Sequence, residues 1–532
     1  MAKEKKKSSP QSKKEALAKQ KARSKEKAKS KAQSKAKSKD KTKSSTASKK
    51  RAPRPEPLAD LMDRRHPQSL FVRSAQIVGN EPGGEPVTTG RFLATTLDAT
   101  PEATKRMLRE LQDQVGVRRV VSSRDGGVFE MPKDAEAMVL QSLGIVVLCV
   151  DPTQTKALAS TSRGQSKRKQ AGFVVEPEYF CQHAGRSQSA ASADYLRGYR
   201  DALDQWIEQP DLKQKLIYEP EPLDRGLPPS PGPKLPLGWQ KRTQPFRSPE
   251  PISTWGLQQT RVDVCPLSGN GVRVAVIDSG LDLQHPGFTD RVAKTVSYVG
   301  HSAQDDHGHG THCAGTLCGQ ESTTLRYGIA RQAELYVAKV LDQNGRGMEA
   351  NVIAGIEWAI NQGCRVISVS IERGVDSCSS GFSNAYEAAG LRAIQQNALV
   401  IAAAGNRSRR SAGIQRRVSA PANTPSIVGV GAIRPSGHIA DFSNRTFCRY
   451  GEVDFVAPGV EVFSSDITSE QYRTRDGTSM ATPHVAGIAA LLIEQDPELG
   501  GESLYRRLKE LSLMSSELDP ADYGHGMPRA PQ

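Results

Sequence analysis

The feature that most constrains the fold of this chain is residues 476–487, Asp-Gly-Thr-Ser-Met-Ala-Thr-Pro-His-Val-Ala-Gly. Apolar residues recur at helical spacing after Ser479, and Pro483 follows within the first turn, where a helix tolerates proline. The segment therefore predicts a helix that begins close to Ser479. A serine hydroxyl at that place lies beside free backbone N–H groups and the positive end of the helix dipole, which stabilise developing negative charge.

Two further segments bear on whether Ser479 is a nucleophile or an ordinary N-cap serine. Residues 272–278 are apolar and rich in β-branched side chains, which predicts a buried strand that ends at Asp278. Open α/β sheets place their sites at the carboxyl ends of strands. Residues 307–315 read His-Gly-His-Gly-Thr-His-Cys-Ala-Gly, in which His309 and His312 share a face if the segment is helical. The zinc-protease pattern His-Glu-x-x-His is not matched, so we assign no metal.

Asp278, His309 and Ser479 follow one another in the order Asp, His, Ser, which is also the order in subtilisin. Their three segments resemble the signature blocks of the subtilisin-like (subtilase) serine peptidases. The block around His309, with Cys313 beside it, is most similar to the proteinase K-type branch. A fourth block, residues 402–406 (Ala-Ala-Ala-Gly-Asn), resembles the part of the family that carries the oxyanion asparagine.

The resemblance implies a role for each side chain. Serine is a weak nucleophile until a base takes its proton, and His309 is the candidate base because imidazole exchanges protons near neutral pH. Asp278 would bind the other ring nitrogen and stabilise the imidazolium. Asn406 and the backbone N–H of Ser479 would hold the oxyanion, although Gly405 followed by asparagine is also typical of a turn. The implied protein is a serine endopeptidase that acts on polypeptides through an acyl-enzyme.

The resemblance also implies where an extended substrate binds. Ser368 and Ser370 resemble the edge segment that pairs with substrate through main-chain hydrogen bonds. The family usually continues Ser-Leu-Gly-Gly, whereas residues 370–374 read Ser-Ile-Glu-Arg-Gly, so we expect the specificity pocket to differ in shape. A small, apolar pocket floor is implied at Ala403, Ala404 and Gly405.

The excess positive charge lies in the first 54 residues, which hold 22 Lys+Arg and 4 Asp+Glu. The chain has 73 basic and 58 acidic residues, so 51 and 54 remain for the rest, a net charge of −3. The Lys/Ser/Ala-rich tail at 1–55 has too few apolar residues to offset its ordering entropy, which predicts disorder. Residues 1–54 would bind nucleic acid through counterion release, bind an anionic membrane, or only keep the protein in solution.

The sequence has no recognisable secretory signal and no apolar run of membrane-spanning length. Eight cysteines are scattered without Cys-x-x-Cys spacing, which fits a reducing compartment better than a disulfide framework. We therefore expect a cytoplasmic protein, unlike most members of the family it resembles. Calcium is common in that family, but we recognise no ligand set and assign no cofactor; the oligomeric state stays open.

Residues 88–180 predict an α+β domain of ferredoxin-like β-α-β-β-α-β order, which resembles the inhibitory propeptide of subtilases. An unrelated α/β module is the alternative. Residues 181–252 are predicted to form a helix and a proline-rich linker. Self-processing is expected between 177 and 255, and the basic run 163–169, which precedes that interval, is a separate exposed candidate. The predicted strands are 91–97, 117–121, 145–150 and 173–176, and the predicted helices are 101–116, 135–143 (inserted), 153–159 and 192–209.

Residues 253–532 are predicted to be the catalytic domain, a doubly wound, mainly parallel α/β sheet of strands that alternate with helices. The leading hypothesis is a serine endopeptidase made as a self-processed precursor. One alternative is a peptide maturase or macrocyclase that uses the same site for aminolysis. The other is a regulatory protease that its basic tail tethers to a polyanion or membrane.

Overall fold

The computed structural model describes residues 88–96, 100–122, 136–149, 173–184, 252–320, 325–374 and 381–532. The basic tail, the basic run 163–169, the predicted helices 153–159 and 192–209, and nearly all of the linker lie outside these residues. Predictions that concern them stay predictions.

The N-terminal part of the described chain is a sheet with one helix. Its elements are β1 (Thr88–Thr96), α1 (Pro101–Val115), β2 (Val120–Ser122), β3 (Ala137–Leu140), β4 (Ile145–Leu148) and β5 (Phe173–His183). The strand order is β5-β1-β4-β3-β2, antiparallel throughout except that β2 runs parallel to β3. The predicted second strand, 117–121, forms only the short edge strand β2, and β3 takes the place beside β4. The second predicted helix of the ferredoxin-like order lies outside the described residues, so that order stays a prediction.

The helix predicted at 135–143 is wrong. This segment instead forms strand β3 and the turn into β4, and the two strands pair antiparallel from Ala137 opposite Leu148 to Leu140 opposite Ile145. All four residues of each strand are buried. Periodicity does not distinguish a helix from a strand in so short and uniformly apolar a run, and here the cross-strand pairing decides the outcome.

The C-terminal part contains the remaining elements in the described residues. Its strands are β6 (Ile252–Ser253), β7 (Arg273–Asp278), β8 (Val292–Ser297), β9 (Leu325–Arg326), β10 (Glu334–Lys339), β11 (Arg346–Met348), β12 (Val366–Val369), β13 (Ile371–Glu372), β14 (Leu399–Ala403), β15 (Val428–Ile433), β16 (Phe455–Pro458), β17 (Val462–Ser465), β18 (Tyr472–Arg475), β19 (Ser512–Leu513) and β20 (Met527–Pro528). Its helices are α2 (Trp255–Gln259), α3 (His309–Cys318), α4 (Glu349–Asn361), α5 (Asn384–Gln395), α6 (Thr478–Gln495), α7 (Gly501–Glu510) and α8 (Pro520–Tyr523).

A parallel sheet of seven strands forms the centre of this part, in the order β16-β15-β14-β12-β7-β10-β8. Val274 and Val276 of β7 pack on one face with α3 and α6. Ala275 and Ile277 pack on the other face with α4 and α5. Helices thus cover both faces, and the predicted doubly wound sheet is confirmed.

The N-terminal sheet packs against the same face as α4 and α5, since Leu140 and Val147 belong to the core cluster that contains both helices.

None of the helices in the described ranges is long and apolar enough to cross a membrane. Cys448 is disulfide-bonded, which departs from the expectation of a reducing compartment at this one residue. Cys313 and Cys364 are free, buried thiols.

Candidate active site

The centre of the site is the contact between Asp278 and His309. Asp278 ends β7 and His309 begins α3, and both side chains are fully buried. His309 Nδ1 lies 2.7 Å from Asp278 Oδ1, and the Ser279 backbone N–H donates to the same carboxylate oxygen at 2.7 Å. A side chain at Gly310 would come within 2.3 Å of the Gly280 carbonyl oxygen. Glycine there lets α3 approach the end of β7 closely enough for this contact.

Asp305 holds the start of α3 in place. Its carboxylate accepts the backbone N–H groups of His307, Gly308 and Thr311 at 2.9–3.0 Å. It also accepts the hydroxyls of Ser279 and Thr311 at 2.9 and 2.7 Å. Burial alone would raise the pKa of Asp305, but the hydrogen bonds from Gly308 and Thr311 bring it below its ordinary value. A charged carboxylate therefore caps the helix that presents His309.

Ser479 lies in the first turn of α6, and the helix begins at Thr478, as the sequence predicts. Its hydroxyl donates to the Ser370 carbonyl oxygen at 3.1 Å, and the Ser370 hydroxyl donates to the Ser479 carbonyl oxygen at 2.9 Å. The Cys313 sulfur lies 4.0 Å from His309 Nε2 and 3.5 Å from the Ser479 carbonyl oxygen. The Cys313 thiol therefore contacts both the Ser479 carbonyl oxygen and the His309 ring.

Among the described residues, no hydrogen bond joins the Ser479 hydroxyl to His309. Catalytic hydrogen bonds are often longer before substrate binds, and a rotation about the serine χ1 redirects the hydroxyl without moving the helix. The Ser479 hydroxyl is instead directed at the Ser370 carbonyl oxygen, and its contact with His309 stays a prediction.

Asn406 is oriented by the residue that precedes Ser479. Its Oδ1 accepts the Thr478 backbone N–H at 2.9 Å and the Thr478 hydroxyl at 3.0 Å. With the amide oxygen engaged, Nδ2 points into the cleft and donates to the Ala184 carbonyl oxygen. The Ser479 backbone N–H lies 3.3 Å from the same oxygen. Two donors thus converge on one carbonyl oxygen, which is the geometry of an oxyanion hole.

The end of β5 occupies the cleft. It pairs antiparallel with β11 on one side and β13 on the other, with Gln182 opposite both Arg346 and Glu372. The Ala184 backbone N–H then donates to the Ser370 carbonyl oxygen at 3.0 Å. The chain therefore binds its own segment as a strand added between two edges, through main-chain hydrogen bonds.

Of the remaining predicted substrate-binding residues, one contacts the end of β5 and the others lie in or next to the strands of the central sheet. Ser370 contacts the end of β5 directly, whereas Ser368 lies inside β12, where it pairs with β7 and β14. Ala403 ends β14 and is fully buried, as is Ala404. The Gly405 backbone N–H donates to the Thr478 hydroxyl at 3.1 Å, which ties this segment to α6.

Three histidine rings meet at the cleft. The His183 ring centroid lies 4.7 Å from that of His309 and 4.6 Å from that of His307. Burial lowers the pKa of His309 well below its ordinary value, and the positive charges of Arg475 and His307 lower it further. Burial also lowers the pKa of His183 to about 3. Near neutral pH the His309 ring is therefore uncharged, which is the form that can accept a proton.

The side chains at this centre do not suit a metal ion. Asp278, His309 and Cys313 have potential ligand atoms within 4.8 Å of one another. His309 Nδ1 is already paired with Asp278, however, and burial raises the pKa of the Cys313 thiol well above its ordinary value. A protonated thiol is a poor metal ligand.

Comparison with known proteins identifies the family. Residues 269–526 match the Subtilase family. The chain is 36% identical over 282 residues to Subtilisin BL of Lederbergia lenta, and the aligned region covers 52% of this chain and 96% of that protein. This chain is a subtilase. It is also 38% identical over 265 residues to the Thermostable alkaline protease of Halalkalibacterium halodurans, which covers 49% of this chain and 67% of that protein.

A crystal structure of a cold adapted subtilisin-like serine proteinase matches this subtilase with 30% sequence identity and a TM-score of 0.44, covering 52% of this chain and 96% of that one. As a member of this family, the protein is a serine-type endopeptidase that acts on polypeptides. Subtilisins commonly bind calcium, and we assign no calcium ligands in this chain. The likeness to the proteinase K-type branch around His309 stays a prediction.

Sequence reasoning missed three residues of this site. Thr478 directly precedes Ser479, and Asp305 lies four residues before His309, so their proximity to the motifs was a usable signal. Ala184 had no such signal. Its place in the cleft follows from the pairing of β5 with two strands that are distant in sequence.

The convergence of donors on the Ala184 oxygen predicts a catalytic effect at Asn406. Replacement by alanine should lower kcat for peptide hydrolysis about 10²–10³-fold with little change in KM, because the donor acts mainly on the charge that develops in the transition state. Thr478→Ser keeps both bonds to Asn406 and should keep most of the activity, whereas Thr478→Val should lose part of it. Steady-state kinetics check this, and an Asn406→Ala effect confined to KM would contradict the assignment.

Proposed function

We propose that this subtilase hydrolyses peptide bonds through Asp278, His309 and Ser479. The Ser479 hydroxyl attacks the carbonyl carbon, and His309 takes its proton and returns it to the leaving amine. Asp278 orients the ring and stabilises its charged form, while Asn406 and the Ser479 N–H bind the oxyanion. Water then attacks the acyl carbon while His309 takes its proton, and His309 returns that proton to the Ser479 oxygen as the carboxylic acid product leaves. One observation carries the proposal: a backbone carbonyl oxygen, that of Ala184, lies between both oxyanion donors.

The chain's first substrate, in this proposal, is the chain itself, and the cleaved bond is Ala184–Gly185. The supporting contacts are those of the Ala184 main chain, whose N–H is bound by Ser370 and whose oxygen is bound by Asn406 and Ser479. Near Gln182, β5 is paired in register with both β11 and β13. A shift of β5 that placed another carbonyl at the two donors would break this pairing. The bond falls within the interval expected from the sequence, and it lies beyond the basic run 163–169.

The N-terminal sheet acts in this proposal as an inhibitor that remains in the cleft after cleavage. Glu176 accepts the Ser383 hydroxyl at 2.7 Å and the backbone N–H groups of Asn384 and Ala385 at 3.1 and 3.0 Å. Its carboxylate thereby caps the start of α5, where the helix dipole favours negative charge.

A second carboxylate of β5 serves α4 in the same way. Glu178 is fully buried and accepts the Ala350 backbone N–H at 3.0 Å. Arg91 of β1 pairs with it at 2.5 Å, so its charge is balanced from within the N-terminal sheet. These contacts and the occupied cleft support a propeptide-type role for residues 88–184.

Intact mass tests the cleavage. The wild-type chain should yield a fragment that begins at Gly185, and Ser479→Ala should remain a single chain because it has no nucleophile. Ser479→Ala should also abolish labelling by a fluorophosphonate. Ser436→Ala, at an exposed serine far along the chain, serves as the control. Self-cleavage by the Ser479→Ala variant would contradict the proposal.

Release of the inhibitor should depend on Glu176. Replacing it with glutamine keeps the shape but removes the charge at the α5 terminus, a loss of about 0.3–2 kcal/mol in binding. The interval between cleavage and the appearance of hydrolytic activity should therefore shorten. Glu102→Gln, on the exposed side of α1, is the matched control and should leave the interval unchanged. Equal intervals for both variants would argue against the inhibitory role.

The pH dependence of self-cleavage should reflect the neutral His309. The proton acceptor is neutral above its pKa, and burial lowers that pKa below the ordinary 6.5. The rate should therefore rise with pH through a midpoint below about 6.5. His307→Asn removes a charge that disfavours protonated His309, so the midpoint should move upward.

The measurement for this prediction is the first-order rate of self-cleavage from about pH 4 to pH 8. His438→Asn, at an exposed histidine, should leave the midpoint where it is in the wild type. Burial raises the pKa of Asp278 to about 7, and its ionisation contributes a second rise near that pH, so a single midpoint above about 7 would contradict the prediction.

On sequence grounds alone, we propose that the protein is cytoplasmic and that residues 1–54 bind nucleic acid or an anionic membrane. A regulatory role for the tail and the aminolysis alternatives (maturase or macrocyclase) also stay predictions. Deletion of residues 1–54 should remove salt-dependent binding to DNA or to vesicles with anionic lipids.

A further inference from the structure

Glu372 occupies a position where the family pattern Ser-Leu-Gly-Gly has glycine. Its main chain belongs to β13, which forms one wall of the cleft and pairs with β5 at Gln182. The residue is only 4% exposed although it lies beside a substrate cleft. The direction of its side chain therefore decides how much space remains in the cleft for a substrate side chain.

The Glu372 side chain crosses to the opposite wall. Its Oε2 accepts the Asn406 backbone N–H at 3.1 Å and the Ser419 hydroxyl at 3.1 Å. A Cβ at Gly405 would lie only 2.6 Å from the same oxygen. The carboxylate therefore lies directly against Gly405 and Asn406, and it links β13 to the segment that carries the proposed oxyanion asparagine.

Ala184 lies between the same two walls. Its N–H is bound by Ser370 on the wall of β13, and its oxygen is bound by Asn406 on the other wall. The residue is fully buried. Ser370 and Asn406, which bind the Ala184 main chain, thus belong to the same two walls that the Glu372 side chain links.

We infer that Glu372 closes the pocket for the residue preceding the cleaved bond, so that this subtilase cleaves after small residues: alanine, glycine and serine. The inference rests on the proposed function. A larger side chain would have to displace a carboxylate that holds two hydrogen bonds, and one of those bonds positions the backbone of Asn406. Overpacking a filled site is destabilising, and a steric clash is an effective means of rejecting a substrate.

A basic residue is the rival occupant, since a carboxylate in such a pocket could bind lysine or arginine. Here the Glu372 carboxylate already accepts two hydrogen bonds, and Arg407 Nε lies 3.8 Å from it. Its charge is thus balanced from within the protein. The contacts favour a small residue, and cleavage after a basic residue becomes an outcome of the test.

The test uses the full chain, with self-cleavage followed by intact mass. Ala184→Phe should slow cleavage at least about 10²-fold, and Ala184→Ser should stay within about tenfold of the wild type. Glu372→Gly opens the pocket, so cleavage of the Ala184→Phe chain should recover in the double variant. The quantity compared is a ratio: the cleavage rate of the Ala184→Phe chain divided by that of the chain with Ala184. This ratio is measured once with Glu372 and once with Glu372→Gly. A general loss of activity caused by Glu372→Gly then cancels.

A variant of equal size separates volume from charge. Glu372→Gln should keep the preference for alanine over phenylalanine. Ala184→Lys should be cleaved as slowly as Ala184→Phe in the wild-type pocket. If Ala184→Lys is cleaved faster than the wild-type chain, and Glu372→Gln removes that advantage, the pocket selects basic residues and the inference is wrong.

Failure of this inference and failure of the proposed function give different results. A wild-type chain that neither cleaves itself nor reacts with a fluorophosphonate contradicts the proposed function. A chain that reacts and cleaves, but processes Ala184→Phe as fast as alanine, contradicts only the role of Glu372. Failure of Glu372→Gly to raise the Phe-to-Ala ratio contradicts it as well.

Discussion

The 2.7 Å contact between His309 Nδ1 and Asp278 Oδ1 is the interaction on which the rest of the site depends. It requires the end of β7 and the start of α3 to meet, which glycine at 310 and the capping of α3 by Asp305 make feasible. Both side chains are fully buried, so water does not compete with the contact. In the proposed mechanism, loss of this alignment would leave Ser479 without the base that activates it.

The second half of the site is built around the start of α6. Thr478 orients Asn406, and the next residue along the chain supplies both the hydroxyl and the backbone N–H that face the cleft. In the proposed mechanism, one helix terminus therefore sets the geometry of nucleophile and oxyanion donors together. The end of β5 fits this geometry closely, which explains how a single segment could serve as first substrate and then as inhibitor.

Specificity, as inferred here, comes from a departure from the family pattern rather than from the catalytic groups themselves. Glu372 uses its side chain to link the two walls of the cleft at Asn406 and Ser419. The same link supports the backbone of the oxyanion residue. Pocket size and oxyanion geometry are thus coupled, and a change at 372 is expected to affect both.

The sequence by itself determined the alternation of strands and helices in the catalytic part and the start of α6, because periodicity is a local property. The resemblance of four short segments to the subtilase signature blocks supplied Asp278, His309, Asn406 and Ser479 as candidates. The tertiary structure alone decided that residues 137–148 form a hairpin, since a short apolar run suits a helix and a strand equally until it finds a partner. It also decided the positions of Ala184 and Glu372. Their bonds to Asn406 join residues 222 and 34 positions apart, and no local pattern encodes such contacts.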